Sequence, residues 1–317
     1  MSLALLFSPQ GSQAVGMGRE LAATSPAAAA AFATADATLG WSVSDACWNG
    51  PEERLHETRQ TQPCLLTVSV AALRALEERA RPAPAFVAGH SVGEYAALVA
   101  AGVIDFEAAL RLVACRGELM AGASANGGMA AVIGLERDVV ERVVESVGRA
   151  TELVVANDNA PGQVVISGDL ERLAAVEEPM RAAGAKRVIR LPVSGAFHSP
   201  LMASVAEELA TAFESETWHD ARIPVLSNVA GEPLTDAGRI RALLAEQVRS
   251  PVEWVRCVRH MAAGGVDTML ELGSGAALVG MVRRIVPGVR VAALNDVATL
   301  DAAAHLLGAP DPVTAPA

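Results

Sequence analysis

Residues 85–98 read Ala-Phe-Val-Ala-Gly-His-Ser-Val-Gly-Glu-Tyr-Ala-Ala-Leu, and no other stretch constrains the fold as much. A short apolar run, the pattern of a buried strand, meets Gly89-His90-Ser91-Val92-Gly93, and an alanine-rich run of helix formers follows. Small residues on both sides let the backbone bend sharply, which places Ser91 at a strand-to-helix turn. Its hydroxyl then stands near a helix N-terminus, whose unpaired N–H groups stabilise negative charge. A serine nucleophile for acyl transfer requires this environment. A plain glycine-rich turn has the same residues, so both readings stay open on this segment alone.

At 317 residues the chain can bury one large core with a smaller domain attached. Hydrophobic residues make up 51% and aromatic ones only 3%, so that core is aliphatic and alanine-rich. No apolar run reaches the roughly 18 residues of a membrane span. The apolar residues 3–7 are too short for a signal-peptide core and follow no cationic residue. The expectation is a soluble, cytoplasmic protein with no membrane association. Four scattered cysteines without a Cys-x-x-Cys pair predict buried free thiols, not a metal cluster or a disulfide framework. The net charge of −11 argues against nucleic-acid binding. Any acidic partner must meet a local patch of arginines, because Lys186 is the only lysine.

The pattern along the chain is that of an α/β protein. A strand at residues 3–7 precedes the loop Ser8-Pro9-Gln10-Gly11-Ser12-Gln13 and a helix over residues 17–23. Helical patterns run through residues 63–80, and Arg81-Pro82-Ala83 breaks the chain before the Ser91 strand. Asp105 opens a helix to about residue 120. Residues 126–195 then change character: strand 129–134, helix 136–147, strands 153–156 and 163–167, helix 170–183 and strand 187–191. That β-α-β-β-α-β order is ferredoxin-like and predicts a small inserted subdomain. It divides a core of residues 1–125 and 196–305. Beyond it come a helix from Ser199, a strand at 223–227, a helix ending near Arg249 and a strand at 266–272. Residues 306–317, rich in proline and alanine, are expected to form a flexible tail.

Ser91 needs a base. The side chain of His90 points away from that of Ser91 in an extended segment, and His56, His219, His260 and His305 occupy polar, surface-like contexts. His198 differs, since it follows an apolar strand and the hinge Ser194-Gly195-Ala196 and precedes Ser199-Pro200. It reads as either an ordinary helix-start histidine or the base at a second strand exit. No acidic residue stands out as a third member, and a backbone carbonyl suffices to fix the imidazole tautomer. At about 100° per residue, Arg116 falls at the edge of the apolar arc formed by Phe106, Ala109, Leu110, Val113, Gly117 and Met120. It is either internally paired, or reaching out to water, or a planar fork for a carboxylate. Gln10 and Gln247 carry no distinctive signal as isolated residues.

Taken together, these pieces resemble the malonyl-CoA:acyl-carrier-protein transacylase family and the acyltransferase domains of polyketide and fatty-acid synthases. The matching motifs are Gln10-Gly-Ser-Gln13 with Gly16-Met17-Gly18, Gln62-Pro63, Gly89-His-Ser-Val-Gly-Glu94, Arg116-Gly117, Asn159-Ala-Pro-Gly-Gln163, Gly195-Ala-Phe-His-Ser199, and Gln247 before Pro251-Val-Glu-Trp254. The resemblance implies an α/β-hydrolase-like core with the ferredoxin-like insert. It also implies Ser91 as nucleophile, His198 as general base, the N–H groups of Gln10 and Val92 as oxyanion hole, Arg116 as the malonyl carboxylate ligand, and the Gln247 carbonyl as orienter of His198. The implied reaction is ping-pong malonyl transfer from malonyl-CoA to the phosphopantetheine thiol of an acyl carrier protein, without metal or cofactor, since CoA is part of a substrate. Val92 and Phe197 match the malonyl-selective members, with Phe197 filling the space an α-methyl group needs. Free-standing members are commonly monomers. A discrete acyltransferase serving a modular polyketide synthase would share these features, and a serine hydrolase or a non-catalytic carrier-docking module are the rivals. Carrier docking is expected at arginines such as Arg187, Arg190, Arg283 and Arg284. The chain departs from the family at Phe7-Ser8-Pro9-Gln10, where proline directly precedes the oxyanion glutamine and fixes φ there, and at Gly273-Ser274-Gly275.

Overall fold

The computed structural model describes residues 1–123, 126–193 and 195–308. Its strands, in chain order, are β1 (Leu3–Phe7), β2 (Pro84–Gly89), β3 (Gly127–Ile133), β4 (Leu153–Ala160), β5 (Gln163–Asp169), β6 (Arg187–Arg190), β7 (Val225–Leu226), β8 (Pro233–Leu234), β9 (Thr268–Leu272) and β10 (Arg290–Leu294). They form two sheets.

The larger sheet has the order β10-β9-β1-β2-β7-β8, parallel throughout except for β8 at one edge. β1 shows why it lies in the middle. Leu3, Leu5 and Phe7 enter one apolar cluster while Ala4 and Leu6 enter another on the opposite face. A strand apolar on both faces must be covered by helices on both. The helix Thr58–Arg79 supplies much of the cover on the first side, with sixteen of its residues buried. Trp254–Ala263 and Ala277–Ile285 pack on the second. The C-terminal ends of β1, β2, β7 and β9 share one edge, where parallel α/β sheets place their ligand sites. No helix among the described residues is long and apolar enough to cross a membrane.

The smaller sheet is antiparallel, in the order β4-β5-β3-β6, and has its own core of Ala130, Val132, Val140, Val144, Ile166 and neighbours. Chain order within it is strand, helix, two strands, helical segment, strand. The expected helix over 170–183 is in fact two, Leu170–Ala175 and Glu177–Ala182. Pro179 explains the break, because its ring clashes with the carbonyl four residues back, at Ala175. Val252 tethers this sheet to the larger unit, donating to Ala156 O at 2.8 Å and accepting from Asp158 N–H at 3.0 Å.

Other boundaries moved as well. The first helix begins at Arg19, after Gly18 in a left-handed conformation, and not at residue 17. The strand expected over 223–227 shortens to Val225–Leu226 next to Pro224, which has no N–H for a ladder. After Ser199 the chain makes a 3-10 turn, Pro200–Met202, before the helix Ala203–Phe213. The last helix, Val297–Leu306, runs one residue into the segment expected to be a tail, and residues 309–317 lie outside the described residues.

Candidate active site

Ser91 sits between β2 and the helix Gly93–Ala101 with φ of +52°, a left-handed conformation that few non-glycine residues adopt. Both flanking glycines are steric necessities. A Cβ on Gly89 would lie 1.9 Å from the backbone of Gly93, and one on Gly93 would lie 2.3 Å from Phe7 O. The bend is held from the side by Asn228, which follows β7. Its Oδ1 accepts the Ser91 N–H at 2.7 Å, and its Nδ2 donates to Gly89 O at 2.7 Å. Strain of this kind persists only where surrounding contacts enforce it.

His198, the only other described non-glycine residue at positive φ (+58°), brings its Nε2 to 2.8 Å from Ser91 Oγ. Its Nδ1 lies 2.8 Å from the main-chain O of Gln247. A carbonyl only accepts, so Nδ1 carries the proton and Nε2 offers its lone pair to the serine hydroxyl. The His198 N–H donates to Val248 O at 2.8 Å, which ties the ring's backbone to the same 3-10 turn, Gln247–Arg249. Burial, reinforced by the positive charge of Arg116, pushes the imidazole down to about 3. The imidazole is therefore neutral at every pH near 7.

Arg116 is 1% exposed on the helix Phe106–Gly122. Its Nη1 donates to Gln62 Oε1 at 2.5 Å, and its Nη2 donates to Ser91 Oγ at 3.0 Å and Gln247 Oε1 at 3.1 Å. Every one of these acceptors is neutral, and Nε has no partner among the described residues. The alternatives of an ion pair or a side chain reaching water are thus excluded by position. A buried guanidinium without a carboxylate is costly, and burial lowers its proton affinity here.

The side chain of Gln247 joins these parts. Its Nε2 donates to Ser91 O at 3.1 Å and to Glu94 Oε2 at 2.6 Å. Glu94 is 3% exposed, and burial pushes its carboxyl up to about 7 against the hydrogen bonds from Gln247 and Asn228 and the charge of Arg116. His90 is buried as well. Its Nε2 bonds Asn159 Oδ1 at 2.7 Å, its ring packs on Trp254, and burial lowers its basicity.

Ser91, His198, His90 and Phe197 line one cavity together with Pro9 and Gln10. Its far wall, partly from the small sheet, is formed by Met120, Met129, Asn157, Leu191 and Val193. The Pro9 loop is braced: Ser8 Oγ donates to Glu271 Oε1 at 3.2 Å and Ser12 Oγ donates to Pro9 O at 2.6 Å. Gln10 Nε2 reaches Thr58 Oγ1 at 3.3 Å. Proline at position 9 thus leaves Gln10 on the cavity wall. The Ser91 N–H is committed to Asn228, whereas the N–H groups of Gln10 and Val92 donate to nothing among the described residues. Val92 itself is buried.

His56, His219, His260 and His305 are exposed. Of the arginines expected at a docking face, Arg190 pairs with Glu177 and Arg284 bonds Gln163 and the Pro161 carbonyl, while Arg187 and Arg283 stand exposed. Sequence reasoning assigned no role to Asn228 or Glu94. Asn228 carried a usable signal, as a polar residue one step past an apolar strand. Glu94 carried another, as a lone acid opening the apolar run Tyr95-Ala-Ala-Leu98.

The model of the Acyl transferase domain family matches residues 4–299. The chain is 42% identical over 305 residues to the malonyl CoA-acyl carrier protein transacylase of Escherichia coli (strain K12), covering 96% of this chain and 99% of that one. An acyl carrier protein S-malonyltransferase from Vibrio cholerae superposes with a TM-score of 0.93 at 41% identity, over 96% of this chain and 100% of that one. A malonyl-transacylase solved in complex with its type II PKS acyl-carrier protein superposes at 0.94, with 40% identity and the same coverage.

Proposed function

Because the chain belongs to the Acyl transferase domain family, we infer that it is an acyl-carrier-protein S-malonyltransferase, moving malonyl from malonyl-CoA to the phosphopantetheine thiol of a carrier protein. The observation that carries this reading is the Ser91–His198 pair, whose hydroxyl also touches a buried arginine with no carboxylate in contact among the described residues.

The geometry supports two half-reactions. His198 Nε2 takes the Ser91 proton as Oγ attacks the thioester carbonyl, and the carbonyl electrons move onto oxygen. The free N–H groups of Val92 and Gln10 receive that oxyanion, and the helix N-terminus behind Val92 adds its field. Collapse expels the CoA sulfur, which takes the proton back from His198 and leaves malonyl-Ser91. In the second half His198 deprotonates the carrier's thiol, whose sulfur attacks the acyl-serine, and Ser91 leaves with the proton. Arg116 binds the malonyl carboxylate, which supplies the direct carboxylate contact that the guanidinium lacks among the described residues. That arrival also offsets the Arg116 charge, which adds to burial in holding His198 down, so the base strengthens somewhat when the correct acyl group is present. Phe197 limits space at the acyl α-carbon. CoA enters and leaves as part of the substrate, so the proposed reaction uses no cofactor, and the enzyme is proposed to act as a monomer.

Incubation with malonyl-CoA followed by intact-mass measurement tests the reading. A single malonyl adduct on Ser91, discharged on addition of a phosphopantetheinylated carrier, is expected. An unmodified chain, or an adduct lost to water at the same rate with and without carrier, would refute it.

A further inference from the structure

The buried cation of this site has an anion nearby, though not in contact. Arg116 Nη2 donates to Gln247 Oε1 at 3.1 Å, and Gln247 Nε2 donates to Glu94 Oε2 at 2.6 Å. One amide thus relays between a buried guanidinium and a buried carboxylate. The same carboxylate oxygen accepts the Asn228 N–H at 3.2 Å, so it also rests on the residue that holds the Ser91 bend. When Glu94 is ionised, its charge offsets that of Arg116 across this amide without touching it. A malonyl carboxylate bound at Arg116 brings a second anion into a water-poor site with one cation.

We propose that Glu94 is the stand-in counterion of Arg116, and that it takes up a proton from solvent when the acyl carboxylate binds. This rests on the reading that Arg116 receives that carboxylate. Two anions that share one cation in a low-dielectric site cannot both stay ionised without cost, and the more easily protonated one gives way. The acyl carboxylate contacts the guanidinium directly, whereas Glu94 reaches it only through an amide. Burial already brings Glu94 close to neutrality. Protonation leaves the bracket intact, because Oε2 can still accept from Gln247 and Asn228 while Oε1, which makes no hydrogen bond among the described residues, carries the proton.

The charged and titratable groups around Glu94 leave it as the responder. They are Arg116 on the helix Phe106–Gly122, Cys257 on Trp254–Ala263, and Tyr95 on its own helix. Burial raises the Cys257 thiol and the Tyr95 hydroxyl, so both stay neutral. His198, beyond Gln247, is held far lower than Glu94 and takes a proton only after it.

The test is the affinity of malonyl-CoA relative to acetyl-CoA in a Ser91→Ala background, measured from about pH 6 to about pH 8. Titration of the CoA phosphates is common to both ligands and cancels in the ratio. The malonyl-CoA Kd, relative to acetyl-CoA, should rise about tenfold across that range, because binding must then protonate an ionised Glu94. Added Glu94→Gln should flatten the ratio, holding it at pH 8 near its pH 6 value. A flat ratio with Glu94 present, or a slope that survives Glu94→Gln, would overturn the proposal. Calorimetry in two buffers of different ionisation enthalpy reads the proton directly without that second variant, and no uptake on malonyl-CoA binding at pH 8 would also overturn it. An Arg116→Ala arm separates the two levels. If it leaves the malonyl-to-acetyl ratio unchanged, the carboxylate reading itself fails; if the ratio collapses while no pH slope exists in its parent, only the role of Glu94 fails.

Discussion

His198 Nδ1 lies 2.8 Å from the main-chain oxygen of Gln247, so the candidate base is oriented by backbone and not by a carboxylate. A side-chain substitution cannot remove that partner. Gln247→Ala should keep the imidazole oriented while releasing Arg116, Ser91 O and Glu94 from the amide. Rapid-quench measurement of Ser91 acylation should show a loss of roughly tenfold, against about a thousandfold or more for His198→Ala. Equal losses would mean that the Gln247 side chain, not its carbonyl, sets the base.

Ser91 is held at φ +52°. Ser91→Gly should therefore abolish acylation and yet raise the stability of the fold by about 1 kcal/mol, since glycine adopts that conformation without strain. Gly89→Ala should do the reverse of stabilising. Its Cβ would overlap the Gly93 backbone at 1.9 Å, a contact that must be relieved by moving the turn. Thermal melts of the two variants should shift in opposite directions.

Phe197 lines the cavity beside Ser91, and its ring leaves no room for even a Cβ on Gly195, at 2.5 Å. Phe197→Ala should raise acylation by methylmalonyl-CoA relative to malonyl-CoA by roughly ten- to a hundredfold, the range that one methyl group commands in an apolar pocket. An unchanged ratio in competition assays would locate acyl selectivity elsewhere.

What could be read in advance was whatever local sterics or charge dictate. Gly89 and Gly93 announce the bend because no larger residue fits, and Arg116 announces a candidate inward charge because it borders the apolar arc of its helix, though an ion pair or a reach to water stayed open until its contacts were seen. His198 was legible as the one histidine at a strand exit with small residues before it. Asn228 and Glu94 escaped because their roles exist only after β7 pairs with β2 and brings residues 137 and 134 positions apart into contact. β10 escaped for a different reason. Arg290-Val-Ala-Ala-Leu294 is a half-buried edge strand with little β propensity of its own, held by β9. Around the small sheet the strand and helix periods were clear, and Pro179 marked a break that the apolar pattern ran across.

Acid stability has a defined sign. His198 sits at about 3 in the fold against an ordinary 6.5, so the unfolded chain binds its proton first and stability is lost as pH falls from 6.5 towards 3. Glu94, at about 7 against 4.5, works oppositely: the fold binds its proton first, and stability rises as pH falls from 7 to 4.5. His198→Gln should flatten the decline in melting temperature below pH 6.5, recovering at most about 5 kcal/mol. Glu94→Gln should steepen it. Unchanged slopes in both variants would show that neither group titrates as its burial dictates.

The central claim is that Arg116 is kept buried, with no carboxylate in contact among the described residues, for the carboxylate of the acyl group. The direct measurement is the rate of Ser91 acylation by malonyl-CoA and by acetyl-CoA, in the wild-type chain and in Arg116→Ala. Malonyl transfer should fall by at least about a hundredfold, as expected when a buried charge loses its partner, while acetyl transfer falls little or rises. An equal loss for both acyl groups would contradict the claim and leave Arg116 as a structural support for the Ser91 turn.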